Sequence, residues 1–386
     1  MNKVIFFASS YKIGLTGLLT EQACILNKQA GGNFLFISGE REQFPGLFNK
    51  LRDNNVTHKK IIGLDDHKDL FRIIKEFSQV VDQFEPDIVH TQTNWQLVIS
   101  VIIKGFYRKK YSIFYTVHGY RHNYKWRSLA ARYIIGLGLY LFADKIITSS
   151  SFLGNKFSFL KGRNEIIFLG LDDNFLSEFD PPRFNGIKRM IFPGEFREGK
   201  NQDMLIRALK KYIDKTGDNN VELYLPGGGK KLTEYKTLVI KLGLEKKVFF
   251  PGFITRNQMI ELYLKCQFAV VPSNVETFGL CITEPFALGR VVISRHVGVA
   301  DDIIIHGENG FLYDTEEELG ELLINILSDK EKCTMVARKA FEGRDVFRWS
   351  NLTERYLALI DGSYGGKRGQ VPFQGSYDNK RIFKET

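Results

Sequence analysis

The chain has 386 residues, 44% hydrophobic and 25% charged, which excludes a disordered polymer and is too long for one ordinary core, so two domains are expected. Its four cysteines, Cys24, Cys266, Cys281 and Cys333, form no Cys-x-x-Cys pair, so no zinc or redox motif is visible and a reducing compartment fits. The net charge of +10 is unevenly placed: between Lys104 and Lys145 stand Lys104, Arg108, Lys109, Lys110, Arg121, Lys125, Arg127, Arg132 and Lys145 against Asp144 alone, either a solvated face or a surface for anionic lipid, a phosphate-bearing molecule or nucleic acid.

Lys3 to Ser9 reads as a buried parallel strand, with neither the longer apolar segment nor the cleavage site of a signal peptide. A small-residue loop is expected from Ser10 to Gly17, holding Gly14, Thr16 and Gly17, where a ligand can approach the backbone. It is not a Gly-x-Gly-x-x-Gly, so the dinucleotide fingerprint is absent. A helix from Leu18 to Gln29 and a strand from Asn33 to Ser38 complete a βαβ opening. Further strands are predicted at Lys60 to Ile62, Ile88 to His90, Ser112 to Val117, Lys145 to Thr148 and Glu165 to Leu169. Helices at Asp66 to Gln83, Asn94 to Tyr107 and Trp126 to Phe142 lie between them. This alternation argues for a parallel sheet covered on both faces. The longest apolar stretch, Tyr133 to Ala143, is far short of the ~20 residues of a membrane span. The expectation is a cytoplasmic protein, at most peripheral on a membrane.

Leu176 to Lys188, with Pro181-Pro182 and Gly186, breaks the pattern and is the linker candidate. A second alternating run follows. Its strands are Arg189 to Pro193, Val221 to Leu225, Val248 to Pro251, Phe268 to Val271, Val291 to Ser294 and Phe311 to Tyr313. Helices include Gln202 to Thr216, Lys231 to Leu242, Gln258 to Cys266 and Glu316 to Ser328, then Lys330 to Arg344 and finally Trp349 to Leu359.

The most informative segment is Pro272 to Gly289, PSNVETFGLCITEPFALG. Glu276 and Glu284 are separated by seven residues, with Thr277, Phe278, Gly279 and Leu280 following a strand and leading into an apolar helix. Free N–H groups at a helix start suit an anion such as a diphosphate. The two carboxylates would repel phosphate, so they suit hydroxyls, and a ribose diol is a good match for one of them. Otherwise they are ordinary surface acids. Pro285 inside the segment moves the expected helix start towards Thr283. A second cluster, Gly194-Glu195-Phe196-Arg197-Glu198-Gly199-Lys200-Asn201-Gln202, joins a strand to a helix, and its cations can stabilise charge on a departing diphosphate.

On Pro272-Ser273-Asn274-Val275-Glu276-Thr277-Phe278-Gly279-Leu280, continued through Glu284, Gly289, Gly298 and Gly307 to Phe311, the chain resembles the family 4 retaining glycosyltransferases, including those that build capsule and O-antigen polysaccharides. The resemblance implies a GT-B α/β fold. Two Rossmann-like domains would face each other across a cleft, with a C-terminal helix crossing back to the first. Expected domains are residues 1–180 with a helix at about 345–362 for the acceptor, residues 187–344 for the nucleotide sugar, and a tail at 363–386. By the resemblance, Glu284 holds the ribose hydroxyls. Glu276 lies near the transferred sugar, with the Phe278 to Leu280 backbone beside sugar and phosphate. Gly194 and Lys200 match the family's phosphate segment. Glu195 stands where arginine is often found, so either Arg197 supplies the guanidinium or Lys200 alone meets phosphate.

His118, beyond the end of a predicted strand, resembles the family histidine beside the donor sugar; alternatively it is a loop histidine bonded to backbone. His90 is similarly placed but less specific. Gly252-Phe253-Ile254 resembles the base-holding loop, the alternative being a core phenylalanine. Gly227-Gly228-Gly229 either admits the nucleotide or is a plain turn. No Asp-x-Asp is present, so no metal or other cofactor is expected. The expected reaction is transfer of a sugar, UDP-sugar favoured, to a glycan or lipid-linked glycan with retention of configuration. The rivals are a nucleotide-sugar epimerase and a basic nucleic-acid-binding protein, although no nucleic-acid motif is recognised.

Overall fold

A computed structural model describes residues 2–8, 13–30, 33–40, 46–64, 69–118, 142–157, 163–176 and 182–362. The first sheet contains β1 (Val4–Phe7), β2 (Phe34–Ser38), β3 (Thr57–Lys60), β4 (Ile88–Thr91), β5 (Ser112–Val117), β6 (Lys145–Thr148) and β7 (Asn164–Ile166). Their order is β3-β2-β1-β4-β5-β6-β7, all parallel, with Phe6 opposite Phe36 on one side and His90 on the other. The second contains β8 (Lys188–Ile191), β9 (Val221–Pro226), β10 (Val248–Gly252), β11 (Phe268–Val271), β12 (Val291–Arg295) and β13 (Phe311–Tyr313), in the order β10-β9-β8-β11-β12-β13. The expected architecture of two Rossmann-like α/β domains is therefore the one observed.

Because successive side chains on a strand point to opposite faces, the first domain has two cores. Ile5, Phe7, Leu35, Ile37 and Val89 form one with helix Leu70–Phe84. Val4, Phe6, Phe34, Phe36 and Ile88 form the other. Leu19, Ala23 and Leu26 of helix Ile13–Ala30 pack into this second core. That helix corrects the expected loop: it begins at Ile13, so Gly14, Thr16 and Gly17 lie in its first turns. Glycine costs a helix roughly 1 kcal/mol relative to alanine, and the packing of the following turns outweighs it. A short helix at Leu47–Asp53, buried through Leu47 and Leu51, was not expected. The predicted helix from Trp126 falls on residues 119–141, outside the described part, as does the tail from 363.

Phe168, Leu171, Phe175 and Leu176 already belong to the core of the second sheet. The chain crosses back at helix Trp349–Ile360, as expected. Phe347 and Leu352 pack in the second core, whereas Tyr356, Leu359 and Ile360 pack in the first domain. The two crossings touch. Leu171 N–H donates to the Phe347 carbonyl at 3.0 Å, and a Cβ on Gly170 would lie 2.3 Å from the Trp349 ring.

The far end of the crossing helix is held by a buried hydrogen bond between the Tyr356 hydroxyl and His90 Nδ1. His90 Nε2 lies 2.6 Å from Thr116 Oγ1. Burial pushes the imidazole down to about 3, so His90 is neutral and part of the scaffold. Tyr356→Phe removes one partner from a ring that water cannot reach, and is expected to destabilise the protein by about 1–3 kcal/mol in urea unfolding.

Candidate functional site

In open parallel sheets a ligand crevice forms at the carboxyl ends of the strands where the strand order reverses. In the second sheet that point lies between β8 and β11. The loop after β8 carries Lys200, and the loop after β11 carries Glu276. Lys200 Nζ donates to Glu276 Oε1, and both side chains are nearly withdrawn from water, at 11% and 12% exposure. The same oxygen accepts from Ser273 Oγ at 2.7 Å, and Cys281 Sγ lies 3.7 Å away.

The two loops are joined by residues that the sequence motifs contain but to which sequence reasoning gave no role of their own. Asn201 Nδ2 donates to the Pro272 carbonyl at 2.9 Å and to Asn274 Oδ1 at 2.7 Å. Asn274 N–H donates to the Gly199 carbonyl at 2.9 Å. Asn201 does this from a left-handed backbone, φ +53°, which asparagine tolerates better than most residues. Arg197 lies 3.3 Å from Glu195 and donates to the Glu198 carbonyl, on an exposed surface. The loop thus brings Lys200, and not Arg197, to Glu276.

Gly279, at φ +97°, precedes helix Leu280–Ala287. This corrects the expected start near Thr283: Pro285 sits inside the helix, within a wholly buried segment from Cys281 to Ala287. The N–H groups of Phe278, Gly279 and Leu280 make no hydrogen bond among the described residues. Glu284 projects from this helix and is 8% exposed. Burial pushes its carboxyl up to about 7, against the pull of Arg256 and the Tyr263 hydroxyl. Arg256 lies over the Phe175 ring and 3.6 Å from Asp172.

The triple glycine has a packing reason. At Gly227, φ +128°, a Cβ would lie 2.1 Å from the Gly194 carbonyl oxygen; at Gly229, φ +151°, it would lie 2.5 Å from that of Phe196. The loop is pressed against the strand-to-helix segment that carries Lys200. Phe253 is 87% exposed, which overturns the core alternative, and its ring lies over Gly228. Ile254 beside it is half-buried. In the first domain, β5 ends at Val117 and the half-buried His118 follows, its Nε2 donating to Gln92 Oε1 at 2.5 Å.

Comparison with known proteins bears on what this site handles. Residues 176–343 match the family model described as glycosyl transferases group 1. An uncharacterized glycosyltransferase of Methanocaldococcus jannaschii is 26% identical over 303 residues, covering 77% of this chain and 80% of that protein. A D-inositol 3-phosphate glycosyltransferase of Corynebacterium glutamicum is 28% identical over 45% of this chain and 43% of that enzyme. The crystal structure of Anabaena Alr3699/HepE in complex with UDP and glucose superposes with a TM-score of 0.74 at 19% identity, covering 94% of this chain and all of the other. At that identity the likeness is one of fold.

Glu284 has a measurable consequence without any ligand. In the unfolded chain its carboxyl titrates near 4.5, in the folded chain near 7. Stability linked to it is therefore fully present below pH 4.5 and lost as the pH rises through 7. Glu284→Gln is expected to match the wild type near pH 4.5 and exceed it at pH 8 by on the order of 3 kcal/mol in urea unfolding.

Proposed function

We propose that this chain, whose residues 176–343 match the model for glycosyl transferases group 1, is a glycosyltransferase that moves a sugar from a nucleoside diphosphate donor, UDP-sugar favoured, to a carbohydrate acceptor with retention of configuration. The observation that carries the reading is the Lys200–Glu276 pair at the reversal point of the second sheet, directly before the unpaired N–H groups of Phe278, Gly279 and Leu280. In this reading Lys200 and those amides receive the diphosphate, where preorganised donors lower the cost of charge developing on the leaving group. Glu276 accepts from sugar hydroxyls, a role that the bond from Ser273 prepares by orienting its carboxylate.

Glu284 takes the ribose diol. A buried carboxylate gains from two hydroxyl donors, and Arg256 nearby favours its ionised form. The exposed ring of Phe253 offers a face to the base. His118, oriented by Gln92, reaches the transferred sugar from the first domain. Gly14, Thr16 and Gly17, in the opening turns of the first helix, belong to the proposed donor side of the cleft. The chemistry needs no metal in this reading, because lysine and backbone amides carry the charge compensation. UDP is favoured partly because the HepE structure of the same fold contains it.

Lys200→Ala and Glu276→Ala are each expected to lower transfer about 10²- to 10³-fold at saturating donor, followed by nucleotide release, with far-UV circular dichroism unchanged. Wild-type turnover in both variants would defeat the assignment. A thermal-shift screen over UDP-, GDP- and ADP-sugars identifies the base, since a ligand at 100 times its Kd stabilises by about 2.7 kcal/mol.

One feature favours a lipid-linked acceptor in surface polysaccharide synthesis, reached from the cytoplasmic face of a membrane. Helix Asn94–Phe106 exposes Trp95, Val98 and Phe106, and Tyr107 follows. Arg108 and Lys110 flank that stripe and are also exposed. Arg121, Lys125, Arg127 and Arg132 of the basic run lie outside the described residues. No described helix is long and apolar enough to cross a membrane. Apolar side chains beside cations match the interface of an anionic bilayer. Co-sedimentation with phosphatidylglycerol vesicles at low salt is expected, and its loss in Trp95→Ser with Phe106→Ser; absence of binding by the wild type removes this acceptor reading.

A further inference from the structure

Ser150 and Ser151 follow β6 at its carboxyl end and open a short helix, Ser151–Asn155, in the first domain. The Ser150 hydroxyl is used twice. It accepts from Leu153 N–H at 3.2 Å and donates to the Thr277 carbonyl of the second domain at 2.6 Å. The next N–H, that of Ser151, donates to Asp302 Oδ2 at 2.8 Å, so a carboxylate of the second domain satisfies a helix start in the first. Asp302 is only 8% exposed, and the bond from Ser151 offsets part of the cost of burying it.

Thr277 is followed by a second pinned carbonyl. Phe278 O accepts from Val299 N–H at 2.8 Å. The approach requires Gly298, at φ +58°, where a Cβ would lie 2.3 Å from that oxygen. Two successive carbonyls of the donor loop are thus held, one by each domain. In a planar trans peptide the N–H points opposite to the C=O. Fixing the Thr277 and Phe278 carbonyls therefore fixes the directions of the Phe278 and Gly279 N–H groups.

We propose that Ser150 and Asp302 form a cross-domain latch that orients the peptide groups of the 277–280 segment, making Ser150 a positioning residue for the donor although it belongs to the opposite domain. The latch itself is a matter of geometry; its effect on the donor rests on the reading given above. Removing the hydroxyl frees the Thr277 peptide to rotate and breaks one of the two cross-domain hydrogen bonds just described.

Hydrogen exchange of the full chain without nucleotide tests the latch. In Ser150→Ala and in Asp302→Ala, the amides of Ile282 and Thr283, both bonded to the Gly279 carbonyl at the end of the latched segment, are expected to exchange about 5- to 10-fold faster, the worth of one hydrogen bond. Those of β12 should stay at the wild-type rate, which shows that the fold is intact, and Ser150→Thr should restore protection. Wild-type exchange in both variants would overturn the latch. Calorimetry with UDP then tests the consequence: Ser150→Ala should weaken UDP by about 5- to 10-fold, and unchanged affinity overturns the positioning role. A wild type that binds no nucleoside diphosphate would defeat the donor reading, while the exchange result still decides the latch.

Discussion

A lysine and a glutamate that are each nearly removed from water cannot stand alone, and the second domain is organised around keeping Lys200 and Glu276 together. Losing one partner would strand a charge where hydration cannot replace it. Two loops from neighbouring strands must therefore be held at fixed separation. Asn201 and Asn274 join them through side chain and backbone, and Ser273 satisfies the glutamate further. The triple glycine braces the outer side of the lysine loop by a contact that no side chain would allow. The pair occupies the place where parallel-sheet topology opens a crevice, so fold and chemistry impose the same geometry.

Much of the architecture is legible in the sequence because parallel strands covered on both faces are continuous apolar runs, such as VIFF at Val4–Phe7 and FAVV at Phe268–Val271. Periodicity is a poorer guide where local preference and packing disagree. Gly14 and Gly17 read as loop, yet the helix that contains them is anchored by Leu19, Ala23 and Leu26. Pro285 reads as lying near a helix start, yet the helix begins at Leu280 and carries the proline inside a wholly buried segment. Residue types at the site are legible from the Glu-x7-Glu string, but pairing is not. Lys200 and Glu276 stand 76 positions apart, and Ser151 and Asp302 stand 151 apart. Asp301-Asp302 carries no sign of its partner in the other domain. Ser150 carries half a sign, since serine after a strand and before a helix marks a cap, though not the second bond of its hydroxyl.

The two histidines that follow adjacent strands show how burial separates similar motifs. His90 and His118 both sit near the carboxyl end of a strand. His90 lies deep enough to be kept neutral, and the crossing helix closes over it through Tyr356. His118 lies one residue beyond its strand, half-buried and held through one nitrogen by Gln92. Depth, not sequence context, makes one a structural tie and leaves the other half-buried at the end of its strand.

The touching passages at Gly170–Leu171 and Phe347–Trp349 have a mechanical consequence. Two segments running side by side through one narrow waist behave like the spine of a book. They permit the covers to swing, but sliding one cover along the other would stretch both segments at once. Shear between the halves is therefore opposed at the place where the chain passes from one to the other.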